Sequence, residues 1–243
     1  MRANPLICKL EQFTKFSDSE KRLIEDAISD IVDYAPRQDI ICQGDRPDHV
    51  HLLLEGWAGR YKLLPEGERQ IMAYLIPGDL CDVHVALLRQ MDHSIGALSA
   101  CKVAFIPDKA ISKMTDDHGR LSKALWWSTL VDEAISREWL VTVARRQADK
   151  RVSHLFCEML LRSKAVGLST DNSFELPLTQ EELGDTMGLS GVHMNRTLQK
   201  LRSDGLITSQ GKRLVINDLA RLMEFADFDP IYLHQISGGA KPG

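Results

Sequence analysis

The sequence predicts an α+β chain with an antiparallel β-roll first, a long helix next and a small domain of helices and a hairpin last. Three observations predict this order. Short β-type runs separated by Gly and Pro turns begin after Pro36. A stretch without Gly or Pro runs from about Arg120 to Ala144, and two short helical segments with a hairpin lie between Thr179 and Ile216. The predicted boundaries are 1–118, 119–145 and 146–220, followed by a tail at 221–243.

The N-terminal part of the sequence predicts a helical region followed by the β-roll. Residues from Pro5 to Ala35 have helical periodicity, with one apolar face formed by Leu23, Ile24, Ala27, Ile28 and Ile31. Several short β-type runs at this spacing, separated by Gly and Pro turns, are typical of an antiparallel barrel or roll. The predicted strands are Asp39–Cys42, Val50–Leu54, Trp57–Leu63, Gln70–Leu75, Gly96–Leu98 and Lys102–Ile106.

Composition indicates a globular protein of a reducing compartment. The 243 residues include no apolar run long enough to span a bilayer. The 5 cysteines are odd in number, far apart and without a C-x-x-C pair, so we expect buried free thiols in the cytoplasm. The net charge is −4, but residues 145–216 carry 11 Lys and Arg against 8 Asp and Glu. This local positive charge is a modest footprint for a nucleic-acid partner.

The long helix is apolar on more than one face. One face can pack on the β-roll of its own chain, and a second needs another partner, for which a two-fold mate is the economical choice. A helix buried inside one monomer is the alternative. The residues predicted at a dimer interface are Leu121, Leu125, Trp127, Leu130, Val131, Ala134, Ile135 and Val141.

Residues 179–202 predict two helices joined by a very short turn. Thr179 and Glu182 have the spacing of a capping box, and Ser190 can cap a second helix after the break at Gly188. One face of the second helix is apolar and carries Met194, Leu198 and Leu201. The opposite face carries Val192, Asn195, Arg196 and Gln199. A buried stripe behind an exposed polar face is what a recognition helix in the major groove of DNA needs.

The hairpin from Leu206 to Ile216 completes a winged helix-turn-helix, with Lys212 and Arg213 at its tip for phosphate contacts. Two surface helices packed on a core would explain the apolar spacing but not so short a turn. We expect residues 228–234 of the tail to pack on this domain. The predicted DNA-binding residues are Thr179, Gln180, Ser190, Gly191, Val192, His193, Asn195, Arg196, Gln199, Lys200, Lys212 and Arg213.

A β-roll, a long helix and a winged helix-turn-helix in this order resemble the Crp/Fnr superfamily of bacterial transcription regulators over nearly the whole chain. Gln43-Gly44-Asp45 resembles the family's first roll hairpin, and Pro77-Gly78-Asp79 resembles the turn before the effector pocket. Gly205-Leu206-Ile207 and Gly211-Lys212 resemble the signatures after the recognition helix and in the wing. The resemblance implies a cyclic-nucleotide-binding-like sensor domain and a cytoplasmic homodimer, not an enzyme, which binds double-stranded DNA and RNA polymerase.

The sequence departs from the family where effectors bind. In cyclic-AMP-binding members a Gly-Glu pair and an Arg-Ser pair follow the Pro-Gly-Asp turn, but here His93-Ser94 stands where Arg-Ser would be and nothing matches Gly-Glu. A cyclic phosphate without its bidentate arginine loses its strongest contact, so we expect no tight cyclic-nucleotide binding. Cys8 stands alone where iron–sulfur members have a cluster of cysteines, and we expect no cofactor. Family position implies an effector pocket, for an unknown small molecule, at Asp79, His84, Asp92, His93 and Ser94.

The recognition helix also departs from the family's usual pattern. Members that read the common half-sites carry a glutamate early on this helix and an arginine four residues later. Arg196 occupies the arginine position, and Val192 replaces the glutamate. Arginine binds guanine O6 and N7, asparagine can pair with adenine, and valine touches only a thymine methyl. We expect a palindrome whose half-site keeps the guanine read by Arg196 and loses the base pair that the glutamate reads, with Asn195 on an adenine.

His49, His51 and Glu55 support a rival interpretation, a cupin-like metal-dependent enzyme. At the two-residue period of a strand these side chains share one face, where they could converge on a metal. Cupins add a histidine from a later strand, and His84 lies too far past Pro77-Gly78 to match. A ligand-binding module without DNA contact is a third possibility, which the helix-turn-helix disfavours. We therefore favour the regulator and expect no metal.

Overall fold

The computed structural model describes residues 4–235, which divide into two compact units. One unit comprises residues up to 61 together with 74–133, and the other comprises 62–73 together with 134–233. The elements before the long helix are α1 (Pro5–Leu10), α2 (Asp18–Asp26), β1 (Asp30–Tyr34), β2 (Asp39–Ile41), β3 (His49–Glu55), β4 (Ala58–Leu63), β5 (Arg69–Leu75), α3 (Val85–Leu88), β6 (Ser94–Ala97), β7 (Cys101–Pro107) and α4 (Asp108–Asp117). The remaining elements are α5 (Gly119–Arg145), α6 (Ala148–Ala165), β8 (Ser173–Glu175), α7 (Gln180–Met187), α8 (Gly191–Ser203), β9 (Ile207–Gln210), β10 (Arg213–Ile216), α9 (Leu219–Ala226) and a short 3-10 helix at Pro230–Leu233.

Two sheets form the β-roll, and each predicted strand is present. One sheet has the strand order β1-β7-β3 and the other has β2-β6-β4-β5. Strand β7 pairs antiparallel with both of its neighbours. Strands β3 and β7 are buried on both faces over part of their length, because adjacent residues of a strand point to opposite faces and are completely buried here: Leu52 and Leu53, Val103 and Ala104.

The N-terminal region is not one helical segment from Pro5 to Ala35. Helices α1 and α2 are separate, and a capping box between Ser17 and Glu20 begins α2. The last part of the predicted helix is strand β1, in which Asp30 pairs with Phe105 of β7. The prediction is wrong there because sheet pairing with a distant strand outweighs local helical spacing.

The long helix agrees with its prediction within one residue at each end. It has 27 residues, and α6 begins after a break of two residues. The chain leaves the helix at Arg146 and Gln147, where Arg151 Nε donates to the Arg146 carbonyl at 2.7 Å. Within residues 4–235 none of the helices combines the length and the apolar character needed to cross a bilayer.

A buried carboxylate ties α5, α6 and the 3-10 helix together in the second unit. Glu158 is completely buried, and its Oε2 accepts hydrogen bonds from Trp139 Nε1 and Tyr232 Oη, both at 2.9 Å. Its Oε1 accepts one from Arg162 at 3.1 Å. Burial raises the pKa of this carboxyl, against the effect of the Arg162 charge.

The start of the predicted tail packs on the winged domain as expected. Phe228, Tyr232 and Leu233 are all buried. Helix α9 runs through the predicted boundary at residue 220, so the folded domain extends further than the boundary suggests. Residues 236–243 of the predicted tail lie outside the described residues.

Candidate nucleic-acid interface

Helices α7 and α8 form the helix-turn-helix, and both predicted caps are present. Thr179 Oγ1 accepts from the Glu182 N–H at 3.1 Å, and the Thr179 N–H donates to Glu182 Oε2 at 2.7 Å. Gly188 ends α7 in the left-handed region at φ +64°. Ser190 Oγ accepts from the His193 N–H at 3.3 Å and begins α8. The turn between the helices therefore needs only three residues.

Gly184 explains how the turn can be so tight. A Cβ atom at this position would lie 2.4 Å from the carbonyl oxygen of Leu189. The same two residues are joined by a hydrogen bond from the Leu189 N–H to the Gly184 carbonyl, at 3.1 Å. Only a residue without a side chain allows the backbone to approach so closely. Sequence reasoning missed this role, although a glycine inside a predicted helix was the available signal.

Helix α8 separates a buried face from an exposed one. Met194 and Leu201 are completely buried, and Leu198 is nearly so. Val192 is 66% exposed, and Arg196 is also exposed. Within the described part of the chain the Arg196 guanidinium makes no polar contact. The face predicted to read bases is therefore open, and all the predicted DNA-binding residues are exposed except the half-buried Asn195.

Helix α7 holds one of the predicted base-reading side chains in place. Asn195 Nδ2 donates to Gln180 Oε1 at 3.1 Å. Gln180 is the first residue of α7, so this bond joins the two helices at their exposed edge. The pairing of these two amides was not predicted, because it depends on how α7 and α8 cross.

Two of the predicted DNA-binding cations already have acidic partners. Lys200 forms an ion pair with Asp149, and this hydrogen bond raises the pKa of the lysine. Arg213 donates to Ser173 Oγ at 2.5 Å and to Asp171 Oδ1 at 3.2 Å. A phosphate would have to compete with these partners.

The predicted wing is present as a hairpin of β9 and β10. Strand β10 lies between β8 and β9 in a three-stranded sheet. Gly211 stands at the tip with φ +62°, a conformation that favours glycine. Lys212 follows it with an exposed side chain. A cation at the tip of an exposed hairpin is suited to a backbone phosphate.

Most of the predicted dimer residues are buried within the chain itself. Leu121, Leu125, Val131, Ala134 and Ile135 are each at most 7% exposed. Trp127 is half-buried and stacks on Phe13, with ring centroids 5.8 Å apart. These six side chains contact their own chain because they lie on the inward side of α5.

A different set of α5 side chains forms an exposed apolar stripe. Leu130 and Val141 were predicted at the interface, and both are about half exposed. Trp126 and Leu140 were not predicted at the interface, and their side chains are 68% and 72% exposed, respectively. At 100° per residue these four positions fall within about 100° of one another around the helix. The exposed stripe is therefore Trp126, Leu130, Leu140 and Val141.

The structure separates the residues of the predicted effector pocket. Asp79 is buried, and its carboxylate accepts from Lys9 Nζ and from the Ile76 N–H, both at 2.8 Å. Ser94 Oγ accepts from the Gln43 N–H at 2.9 Å. Both side chains therefore already have hydrogen-bond partners within the chain, Asp79 in α1 and at Ile76, and Ser94 at Gln43.

The other three pocket residues come together. His84, Asp92 and His93 each offer one metal-ligand atom within 4.8 Å of the other two. Burial, and the nearby His93, lower the pKa of His84.

The rival trio does not converge on a metal. His49 Nδ1 lies 2.6 Å from Asp48 Oδ1, and the buried His51 Nδ1 lies 2.7 Å from Asp82 Oδ2. A β-bulge shifts the register between Leu53 and Glu55, so Glu55 no longer follows the alternation of the histidines. The Glu55 side chain is 70% exposed.

The chain matches two domain families and several regulators. Residues 31–118 match the cyclic nucleotide-binding domain, and residues 150–225 match the Crp-like helix-turn-helix domain. The chain is 28% identical over 216 residues to the transcriptional activator protein FnrL of Cereibacter sphaeroides, covering 87% of this chain and 86% of FnrL. It is 25% identical over 196 residues to the nitrogen fixation regulation protein FixK of Bradyrhizobium diazoefficiens, covering 80% and 81%.

The fold also matches solved structures. The structure of FixK2 from Bradyrhizobium japonicum has a TM-score of 0.73 and 22% identity, covering 81% of this chain and 96% of FixK2. Both domain matches occur in the order that the sequence resemblance implies, and the relatives cover most of the chain. The chain belongs to the Crp/Fnr superfamily of DNA-binding transcription regulators.

Proposed function

We propose that the protein is a homodimer that reads a palindromic DNA site with helix α8 in the major groove. The observation that carries the proposal is the separation of faces on α8: Met194 and Leu201 are completely buried, while Val192 and Arg196 are exposed. A helix with this separation can bury one side in its own domain and present the other to base edges.

Arg196 is the proposed reader of a guanine in each half-site. Its exposed guanidinium can donate two hydrogen bonds to guanine O6 and N7, which is the commonest specific contact in protein–DNA complexes. Asn195, held by Gln180, is the proposed reader of an adenine. Val192 stands where family members carry a glutamate that reads one base pair. Because valine can contact only a thymine methyl, this base pair is not read by a hydrogen bond from that position.

The proposed phosphate contacts divide into two groups. Lys212 at the wing tip is exposed and is available to a phosphate without breaking an ion pair in the described part of the chain. Lys200 and Arg213 have to exchange Asp149 and Asp171 for a phosphate, so their net contribution is smaller. The exposed cap residues Thr179 and Ser190 lie at helix N-termini, where backbone N–H groups also favour phosphate.

The exposed stripe of α5 supports the proposal of a two-fold dimer. An apolar stripe along one helix is buried most economically against the same stripe of a second copy, which places two identical recognition helices about a two-fold axis. Such a dimer binds half-sites about 34–36 Å apart, one turn of DNA.

The sensor domain is proposed to respond to something other than a cyclic nucleotide. His93 and Ser94 stand where cyclic-AMP-binding members have arginine and serine, and Ser94 Oγ already accepts from the Gln43 N–H. We expect calorimetry to show no micromolar or tighter binding of cyclic AMP or cyclic GMP.

FnrL is named an activator, which supports activation through contact with RNA polymerase in the cytoplasm, where bacterial DNA lies.

Selection of DNA sites from a random pool with purified, ligand-free protein tests the proposal. We expect a palindrome with a guanine at one fixed position of each half-site. The Arg196→Ala variant is expected to select the same palindrome with that position relaxed. Enrichment of a single half-site, or of the family's usual half-site unchanged, would each contradict the proposal.

A further inference from the structure

Two histidines and an aspartate meet at one end of the β-roll. His84 precedes α3, and Asp92 and His93 precede β6. One ligand atom from each of the three lies within 4.8 Å of the other two, and the two imidazole centroids are 5.4 Å apart. Among residues 4–235 this is the single group of three metal-ligand side chains that meets that distance.

His93 is oriented as many metal-binding histidines are. His93 is 8% exposed, and its Nδ1 lies 2.7 Å from Asp92 Oδ1. A metal-binding histidine usually donates its other ring N–H to a carboxylate, a backbone carbonyl or water, which fixes the orientation of the ring. The Asp92 side chain is 77% exposed.

His84 supplies an observation that local packing does not explain. Its Nε2 atom is buried and has no hydrogen-bond partner within the described part of the chain. Buried polar atoms are nearly always hydrogen-bonded, and a bound water or ion is a common reason for an unpartnered one. This atom lies on the residue that completes the cluster with Asp92 and His93.

The donor set defines the class of ion. Imidazole nitrogens suit zinc, iron, nickel and copper, and two of them with one carboxylate leave coordination positions open. Metal–ligand bonds of about 2.0–2.2 Å place tetrahedral ligands about 3.4 Å apart, so the three groups would have to close by roughly an ångström.

We propose that His84, Asp92 and His93 bind one divalent first-row transition-metal ion, through one nitrogen of each histidine and the Asp92 carboxylate. The site lies apart from the helix-turn-helix residues, and its test requires no DNA. It differs from the metal trio that the sequence suggested at His49, and it revises the expectation that the chain holds no metal.

The test is a calorimetric titration of the chelator-treated full chain with Zn²⁺. We expect one ion per chain, and a dissociation constant at least ~100-fold weaker in the His84→Ala and His93→Ala variants. Titration with Co²⁺ provides a second readout, since its visible absorption reports nitrogen and oxygen ligands directly. Circular dichroism establishes that each variant is folded.

Two further variants keep the result interpretable. Asp92→Asn changes an exposed side chain, so it leaves the fold intact, and we expect it to weaken Zn²⁺ binding at least ~10-fold. His49→Ala is the matched control, because His49 also lies beside an aspartate, with Nδ1 2.6 Å from Asp48 Oδ1, but has no second histidine in such a cluster. Absence of binding, or binding that His49→Ala weakens and His84→Ala does not, would overturn the proposal.

Discussion

Arg196 is the residue on which base recognition should depend most. Replacing Arg196 with Ala would remove the two proposed hydrogen bonds to a base but no buried contact, because the side chain is exposed on α8. We expect a loss of about 1–3 kcal/mol in binding to the selected palindrome, or about 5- to 150-fold in Kd, and relaxed preference at one base position. Fluorescence anisotropy with a panel of single-base variants of the site measures both effects.

Lys212→Ala is the matched comparison for Arg196→Ala, since each removes one exposed positive charge from the same domain. A phosphate contact carries no base information, so we expect Lys212→Ala to weaken binding evenly across sequences and to reduce the salt slope by about 1. An even loss across all bases in Arg196→Ala would show that this arginine also contacts only phosphate.

His154 makes stability depend on pH. The residue is 1% exposed, and its ring stacks on the ring of Tyr232. Its Nε2 atom lies 3.2 Å from Glu138 Oε1, but the two atoms do not have the geometry of a hydrogen bond. Burial, with the Arg146 charge, lowers its pKa from 6.5 to about 3. The unfolded chain therefore binds more protons between these values, so stability is full above pH 6.5 and is lost as the pH falls. Urea unfolding should show a loss of about 2 kcal/mol between pH 7 and pH 5 from this residue.

The His154→Gln variant isolates that contribution. Glutamine does not titrate, so the free energy of unfolding should fall less steeply with pH than in the parent chain. His193→Gln is the control, because His193 is exposed on α8. Equal pH slopes in the parent and His154→Gln chains would show that His154 does not stay neutral in the folded state.

At the scale of the element, the helix-turn-helix depends on a glycine inside α7. Gly184→Ala would place a Cβ atom 2.4 Å from the Leu189 carbonyl oxygen, so the turn has to open. Overpacking of this kind costs about 1–3 kcal/mol, and the shift would also displace α8 from its DNA-reading position. We expect a lower midpoint in urea unfolding and weaker binding to the selected site.

Gly191→Ala is the control within the same motif. Nothing lies within 4 Å of a Cβ atom at Gly191, which is the first residue of α8. The same substitution there should leave stability unchanged or raise it by up to about 1 kcal/mol, since alanine favours helix. If the Gly184→Ala and Gly191→Ala variants are equally stable, the close approach of the Gly184 and Leu189 backbones does not limit the stability of the domain.

The elements differ in how far local sequence determined them. Helices α7 and α8 were predictable because their caps at Thr179 and Ser190 and their apolar spacing are local signals. Strand β1 was not, because Asp30 pairs with Phe105, far along the chain, while its own sequence continues a helical pattern. The pairing of Gln180 with Asn195 also depends on tertiary geometry, although both residues were predicted individually.

At the scale of the whole molecule, the sequence predicted the order of the domains but not which side of α5 faces outward. The spacing of apolar residues in the sequence identifies the apolar faces of a helix. It does not reveal which of these faces is buried by other parts of the same chain. Leu121 and Ile135 are buried in the described chain, whereas Trp126 and Leu140 are exposed. A face can be assigned to a partner only after the contacts within one chain are known.

The exposed stripe of α5 is proposed to form the interface of a two-fold dimer. In a two-fold dimer Leu130 and Leu140 of both copies would be buried, and four leucines contribute about 6–12 kcal/mol of gross hydrophobic free energy. A dimer with a micromolar Kd has about 8 kcal/mol of net stability, so two aspartates per chain should abolish it. We expect the Leu130→Asp, Leu140→Asp double variant to sediment as a monomer and to bind the palindrome at least ~10-fold more weakly. Leu87→Asp, at a leucine that is 85% exposed on α3, is the matched control and should leave both measurements unchanged. A double variant that still sediments as a dimer would place the interface elsewhere on the chain.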